Sequence, residues 1–396
     1  MESNTKVTQA KTSWQEPGFI FNAGSLYNYL AKLKDGRKRR GIRYSLATIL
    51  VILILAKLCG QDKAYGIADW AQQRSAFIGK ALHLAHKRLP HHTTYRRILE
   101  TCLDQDEFER LMSEFLNQPS RDGQRVVIAI DGKTVRGTIS LDDPFGLHLL
   151  TAYLPGEGVV LMQMVVEKDK ENEIVVAPQL LEFLDLRHKI VVGDAMQTQR
   201  ALSIQIVASE GDYVWIVKDN QPLTRQAIEL LFAPPQLIPG QGCPPLDFRT
   251  AKTVNKAHGR LEERTITVSS LLNDYLDWPS MNQVFKLERR FTCLATGKIH
   301  HEVQYGLTSL TSQEVGPQRL LEIVRSEWAI ENGLHYRRDV TFHEDQTRMT
   351  HKPMGRAMSM INNLVISLLN KHGFINHAHA RRVFDACPSE AFTLIV

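Results

Sequence analysis

The chain has 396 residues, 43% hydrophobic and 23% charged, with a net charge of +5. That is the balance of an ordinary soluble globular protein longer than one typical domain, and its mild positive charge permits a nucleic-acid partner without demanding one. Five cysteines, odd in number, far apart and without a CxxC pair, exclude a disulfide framework and a cysteine zinc site and point to a reducing, cytoplasmic home.

Residues 1–24 read as a flexible leader, polar and without the apolar core of a signal peptide. Between Ala31 and Arg43, seven Lys and Arg side chains stand against one acid, Asp35. Such a run is a solvated loop or a phosphate-contacting arm. From residue 25 to 117 the pattern is helical. The apolar run Leu46–Ala56 is eleven residues long, too short to span a bilayer, and is expected to form a buried helix. In Leu89–Leu103, Pro90 lies ahead of a Thr93/Thr94 helix start, and Arg96 and Arg97 project from the first turns. That suits a helix-turn-helix reader of DNA, or a small helical domain with no such role. Residues 118–125 are a linker by composition.

Beyond the linker, the β-branched run Val126–Ile130 leads into Asp131 and Gly132, then Lys133, Thr134, Arg136 and Thr138. A carboxylate at the end of a buried strand needs a metal, a cation or a mechanistic role, unless it only caps its own turn. Strands at His148–Leu154 and Val159–Lys168 follow across short Gly/Pro connections. An amphipathic helix over Glu173–Leu186 is expected to begin near Pro178. A strand at Lys189–Ala195 carries Gly193-Asp194, and a helix, the strand Asp212–Asn220 and another helix complete the run. The order β-β-β-α-β-α-β-α is that of the ribonuclease H-like fold, whose first and fourth strands are neighbours. The expected class is therefore α/β: a ribonuclease H-like catalytic core over residues 126–370, preceded by a small all-α domain. Asp131 and Asp194 are expected side by side.

Residues 233–309 are turn-rich and then alternating, and read as a β-rich insertion. A long helix over Pro317–Arg338 carries an apolar stripe of Leu320, Leu321, Val324, Trp328 and Leu334. Glu331 lies beside that stripe and can face the sheet, or else faces solvent as on any surface helix. Residues 371–396 form a tail with no assigned structure.

Three acids held close cannot all stay ionised without cations. Oxygen ligands select hard ions, Mg²⁺ or Mn²⁺, and a pair of such ions is the device for in-line attack on phosphodiesters. Should Glu331 not be the third acid, Glu344 or Asp345 is the alternative. The chain has no GxxxxGK[ST] loop, GxSxG elbow or HExxH motif.

Along the chain, in order, run IAIDGKTVRGT, NEIVVAPQLL, GDAMQTQ, DYVWIVKDNQ, HGRLEER and EWAIENGLHYRRDVTFHEDQTR. They follow the helical segment RRGIRYSLATILVILILAKLCGQDKAYGIADWA and HTTYRRIL. With these motifs the chain resembles the H-repeat-associated, ISAs-type DDE transposases of bacterial insertion sequences. The resemblance implies a catalytic triad of Asp131, Asp194 and Glu331 holding two Mg²⁺ (or Mn²⁺) ions. It also implies binding of terminal inverted repeats in double-stranded DNA, metal-dependent strand cleavage, and strand transfer to target DNA. A homodimer on paired ends, nucleoid-associated when bound and with no membrane partner, follows from the same likeness. Lys133 and Arg136 are expected to hold phosphates of the scissile strand, with Lys218, Arg260, Arg325, Arg338, Arg96 and Arg97 as further DNA contacts. His335, four residues after Glu331, touches DNA, orients the acid or is a structural histidine, and Asn332 supports the same site. Departures from the family pattern fall at Glu171, Asp219 and Tyr336, and Asp219 adds negative charge to a DNA-facing loop. Two rival readings stand beside the transposase: a catalytically silent, domesticated DNA-binding protein, and a nuclease of the same fold without strand transfer.

Overall fold

The computed structural model describes residues 25–116, 125–167, 172–234, 247–257 and 259–395; the expected leader and almost all of the linker lie outside these. The chain opens with six helices: α1 (Leu26–Ala31), α2 (Leu46–Leu58), α3 (Ala64–Gln73), α4 (Ser75–Ala81), α5 (His92–Arg97) and α6 (Gln105–Leu116). Ser45 caps α2, its hydroxyl accepting the Thr48 N–H at 3.1 Å. Every residue of α2 is buried, as its unbroken apolar sequence requires.

A mixed α/β section follows: β1 (Val126–Val135), β2 (Leu147–Leu154), β3 (Val159–Val166), α7 (Glu173–Glu182), β4 (Lys189–Gly193), α8 (Arg200–Ala208), β5 (Asp212–Val217) and α9 (Pro222–Leu231). Four long strands come next, β6 (Arg249–Ala257), β7 (Arg260–Ser269), β8 (Gln283–Cys293) and β9 (Ile299–Thr308). All nine form one sheet in the order β3-β2-β1-β4-β5-β9-β8-β7-β6. The pairs β1/β2 and β2/β3 are antiparallel, whereas β4 runs parallel to both β1 and β5. The β-rich segment is thus no separate lobe, because β9 pairs antiparallel with β5 and prolongs the same sheet.

Two boundaries differ from those expected. β1 continues to Val135, well past its apolar run, because β2 pairs with it as far as Val135↔Leu147. Helix α7 begins at Glu173 rather than near Pro178, since the Asn172 side chain caps it by accepting the Val175 N–H at 3.2 Å. The missing N–H of Pro178 leaves the Ile174 carbonyl without its helical donor, and Ile174 is 36% exposed, so water can serve instead.

Helix α10 (Pro317–Ile330) gives way to two π-helical turns, Glu331–His335 and Arg337–Thr341, before α11 (Lys352–Lys371), α12 (His377–Ala386) and α13 (Pro388–Thr393). Helix α11 is buried along most of its length between β3 and the helices α2 and α6. The expected tail is instead α12 and α13, which pack on α2. There the Cys59 thiol meets the Phe384 carbonyl at 3.2 Å, and Asp385 accepts from Trp70 Nε1 at 3.1 Å and Arg74 at 3.0 Å. One hydrophobic core runs from Leu26 to Ile395. Among the described residues no helix is long and apolar enough to cross a membrane.

Candidate metal centre and nucleic-acid interface

The parallel β1/β4 ladder ends at the pair Ile130↔Gly193. The next residues on the two strands are Asp131 and Asp194, so the acids emerge side by side where β4 stops. Gly193 allows the close approach: a Cβ there would lie 3.0 Å from the Ile130 side chain and 3.1 Å from that of Gln197. The Asp194 carboxylate caps the turn that follows it, accepting the Met196 N–H at 2.9 Å and the Gln197 N–H at 3.3 Å. Burial raises its pKa, Glu173 and Asp131 add to the rise, and the two N–H donors oppose it.

Helix α10 packs across β1 and β4 and brings the remaining acids from above. At its end Glu331 and His335 fall on one π-helical turn, and a ligand atom from each lies within 4.8 Å of the other and of Asp131. Such turns are rare and recur at functional sites. His335 is 3% exposed, and its Nε2 stands 3.2 Å from Asp131 Oδ2, yet neither ring nitrogen makes a hydrogen bond. The carboxylate is close but off the direction in which the N–H points. One turn earlier is Glu327, half-buried. Burial, then the charges of Asp194 and Asp131, push its carboxyl up to about 7 against the pull of Lys218.

A fifth acid completes the set. Glu173, at the start of α7, accepts from Gln197 Nε2 at 3.1 Å and meets His148 Nε2 at 2.8 Å. His148 in turn holds the Thr134 hydroxyl at 2.8 Å. Gly132 is open for Glu173: a Cβ there would run into its carboxylate. Glu173 and Glu327 were not singled out from sequence, although Glu327 lies one helical turn before Glu331 and Glu173 lies within the NEIVVAPQLL motif.

Two family profiles match the chain. The one described as "Transposase DDE domain" covers residues 122–368, and "DDE_Tnp_1-associated" covers residues 27–116. The chain belongs to the DDE transposase family. It is 27% identical over 356 residues to "Putative transposase YncI" of Escherichia coli O157:H7, covering 87% of each protein. It is 26% identical over 351 residues to "H repeat-associated putative transposase YhhI" of Escherichia coli strain K12, covering 87% of this chain and 90% of the relative. A piggyBac transposase synaptic complex with hairpin DNA superposes with a TM-score of 0.45 and 11% identity, over 93% of this chain and 78% of that one, too loose a likeness to carry a conclusion. A DDE domain implies divalent-metal use, and the residues present fit it. Carboxyls raised in pKa by burial and then by each other's charge, beside a buried imidazole without a hydrogen bond, are what a cation would neutralise and complete.

In this transposase the cationic residues singled out from sequence fall into two groups. Arg136, Lys218, Arg260, Arg325, Arg96 and Arg97 are exposed. The charge of Lys218 acts on Glu327. Arg260 lies over the Phe291 ring at 5.4 Å, and Arg96 reaches Glu100 at 3.7 Å. Lys133 and Arg338 differ. Lys133 is largely buried, its ammonium 2.7 Å from Asp339. Arg338, expected to contact DNA, has 0% exposure and an ion pair with Glu344 at 2.7 Å, so it has no surface to offer a phosphate.

That pair engages Glu344, one of the two alternative third acids. Burial raises the Glu344 pKa, but Arg338 and Asn362 outweigh it and hold the carboxyl below its usual range, fully engaged. Asp345 accepts the Arg136 backbone N–H at 2.9 Å. Asn332 is exposed and donates to the Trp328 carbonyl at 3.1 Å. Asp219 is paired with Arg225, which offsets the charge it brings to its loop. Between α10 and the strands β7–β9 lies a cleft of about 190 Å³ lined by Arg264, Arg289, Arg325, Trp328 and Asn332. The Arg289 guanidinium sits 4.3 Å above the Trp328 ring, an arrangement sequence alone did not suggest.

Proposed function

We propose that the chain is the transposase of an insertion sequence, binding its terminal inverted repeats, cutting DNA there and joining the 3′-hydroxyl ends to target DNA. The carrying observation is the end of the β1/β4 ladder, which sets Asp131 beside Asp194 under the helix that bears Glu331. The strand order β3-β2-β1-β4-β5, antiparallel then parallel, supports a ribonuclease H-like core for that triad. Asp131, Asp194 and Glu331 would hold two Mg²⁺ or Mn²⁺ ions, which when bound supply Lewis acidity at the phosphodiester. Asp194 is held in place by the N–H groups of its turn, and Asp131 by its pairing with Thr151 on β2. Lys218 and Arg136 are exposed, at the ends of β5 and β1, and are suited to hold the backbone of double-stranded DNA. The cleft lined by Arg264, Arg289 and Arg325 offers further cations, of which Arg264 and Arg289 share Glu262 as an ion-pair partner. A homodimer synapsing two ends at the nucleoid completes the reading.

Incubating the protein with Mg²⁺, a labelled terminal-repeat duplex and target DNA tests it. Cleavage and joining are expected for the wild type, and neither for Asp131→Asn, Asp194→Asn or Glu331→Gln. Cleavage by any one of these variants removes that residue from the triad, and full activity after chelation ends the metal-dependent reading. Cutting without joining would make the protein a nuclease.

A further inference from the structure

We infer that His335 is a nitrogen ligand of one of the two cations, in a site built from Asp131, Glu331 and His335. This rests on the metal-dependent reading above and adds a residue to it.

Three observations meet here. His335 is nine-tenths buried, and neither ring nitrogen has a hydrogen-bond partner, a costly state for a polar group in the interior. Its Nε2 faces Asp131 at 3.2 Å without the alignment of a hydrogen bond, as two groups do when both aim at a third atom. Third, Asp131, Glu331 and His335 each offer an atom within 4.8 Å of the other two, so a small side-chain movement brings all three within bonding reach of one cation, whose bonds run at about 2.1–2.2 Å.

The backbone explains why the imidazole is available. The π-helical turn from Glu331 to His335 follows directly on α10, with His335 buried and Glu331 exposed, and it leaves a ligand atom of each within reach of Asp131 on β1. Tyr153 on β2 limits that turn from below: a Cβ at Gly333 would lie 2.6 Å from the Tyr153 hydroxyl. Asp194 is outside the three-residue set, and its charge, like that of Asp131, acts on Glu327. The acids therefore divide, with Asp131 common to both sides. One side offers oxygen alone, and the other offers two carboxylates and an imidazole.

Ligand type decides the consequence. Imidazole suits first-row transition metals, whereas oxygen-only sites suit Mg²⁺. The His335 site should therefore favour Mn²⁺ over Mg²⁺ more strongly than an all-carboxylate site would.

The test is pulsed electron paramagnetic resonance on Mn²⁺ bound to the full chain with a DNA duplex. Nitrogen coupling to Mn²⁺ is expected in the wild type, changing with the nuclear spin when histidine alone carries ¹⁵N. That labelling needs no substitution, so a variant that fails to fold cannot obscure the answer. In His335→Gln the coupling should vanish, and Mn²⁺ affinity should fall by roughly tenfold or more. The preference for Mn²⁺ over Mg²⁺ should shrink with it. Mn²⁺ bound with no histidine coupling would overturn this inference and leave the acid triad standing. No Mn²⁺ bound at all would overturn both together.

Discussion

Glu109 lies on α6, where the helical layer packs on β3 and α11; it is 8% exposed, and its Oε2 makes no hydrogen bond. Burial pushes its carboxyl from 4.5 up to about 8, against the pull of Arg356 and the Gln163 backbone N–H. The unfolded chain releases this proton near 4.5, while the folded chain keeps it until about 8. Between those values the unfolded state binds fewer protons, so stability falls as pH rises and levels off above the folded value. At about 1.4 kcal/mol per pH unit, the loss has a ceiling of about 5 kcal/mol. That is a large part of the roughly 5–15 kcal/mol by which a domain is stable. Glu109→Gln preserves the shape and cannot ionise. Urea unfolding followed by circular dichroism, at about pH 5 and about pH 8, should show the wild-type midpoint falling relative to the variant, with the variant the more stable at the higher pH. Parallel pH profiles for the two proteins would refute the argument.

Gly132→Ala should cut DNA cleavage on the order of 100-fold, as small displacements in active sites do, because its Cβ displaces Glu173 from His148 and Gln197. An unchanged cleavage rate with a native far-ultraviolet spectrum would show that Glu173 has room to move. Arg338→Met leaves Glu344 as a buried unpaired charge and should lower unfolding stability by about 3–5 kcal/mol, read from denaturant melts. A loss under about 1 kcal/mol would contradict that pairing. Because Glu327 is pushed up to about 7, Mn²⁺ binding near pH 6 should expel its proton. Calorimetry in buffers of different ionisation enthalpy should detect that release in the wild type and a smaller one in Glu327→Gln; equal release would count against the acid crowding.

Element order carried much of this fold. Three strands, a crossover helix and two parallel strands were legible as alternation, turns and periodicity, and the neighbourhood of Asp131 and Asp194 followed from their sequence. What escaped was set by partners far along the chain. The reach of β1 to Val135 depends on β2, and the joining of β9 to β5 depends on a ladder that no local pattern encodes. Arg338 is the sharpest case, since a cation in a helical motif full of charge looks like a surface residue. Only the meeting of Glu344, Gln163 and Ser359 around it reveals an interior ion pair. Glu173 was hidden for a similar reason, because its approach to the acids depends on the missing side chain of Gly132.

The bond between β9 and β5 has a mechanical consequence. Val214–Val217 pair with Thr308–Tyr305 on one edge of β9, and β8 pairs along the other. The four outer strands therefore cannot swing as a flap on a hinge without breaking a backbone ladder. From Arg264 on β7 and Arg289 on β8 the ladder runs through β9 and β5 to β4, which ends one residue before Asp194. A cation-lined cleft and a carboxylate far apart in sequence thus belong to one continuous backbone ladder.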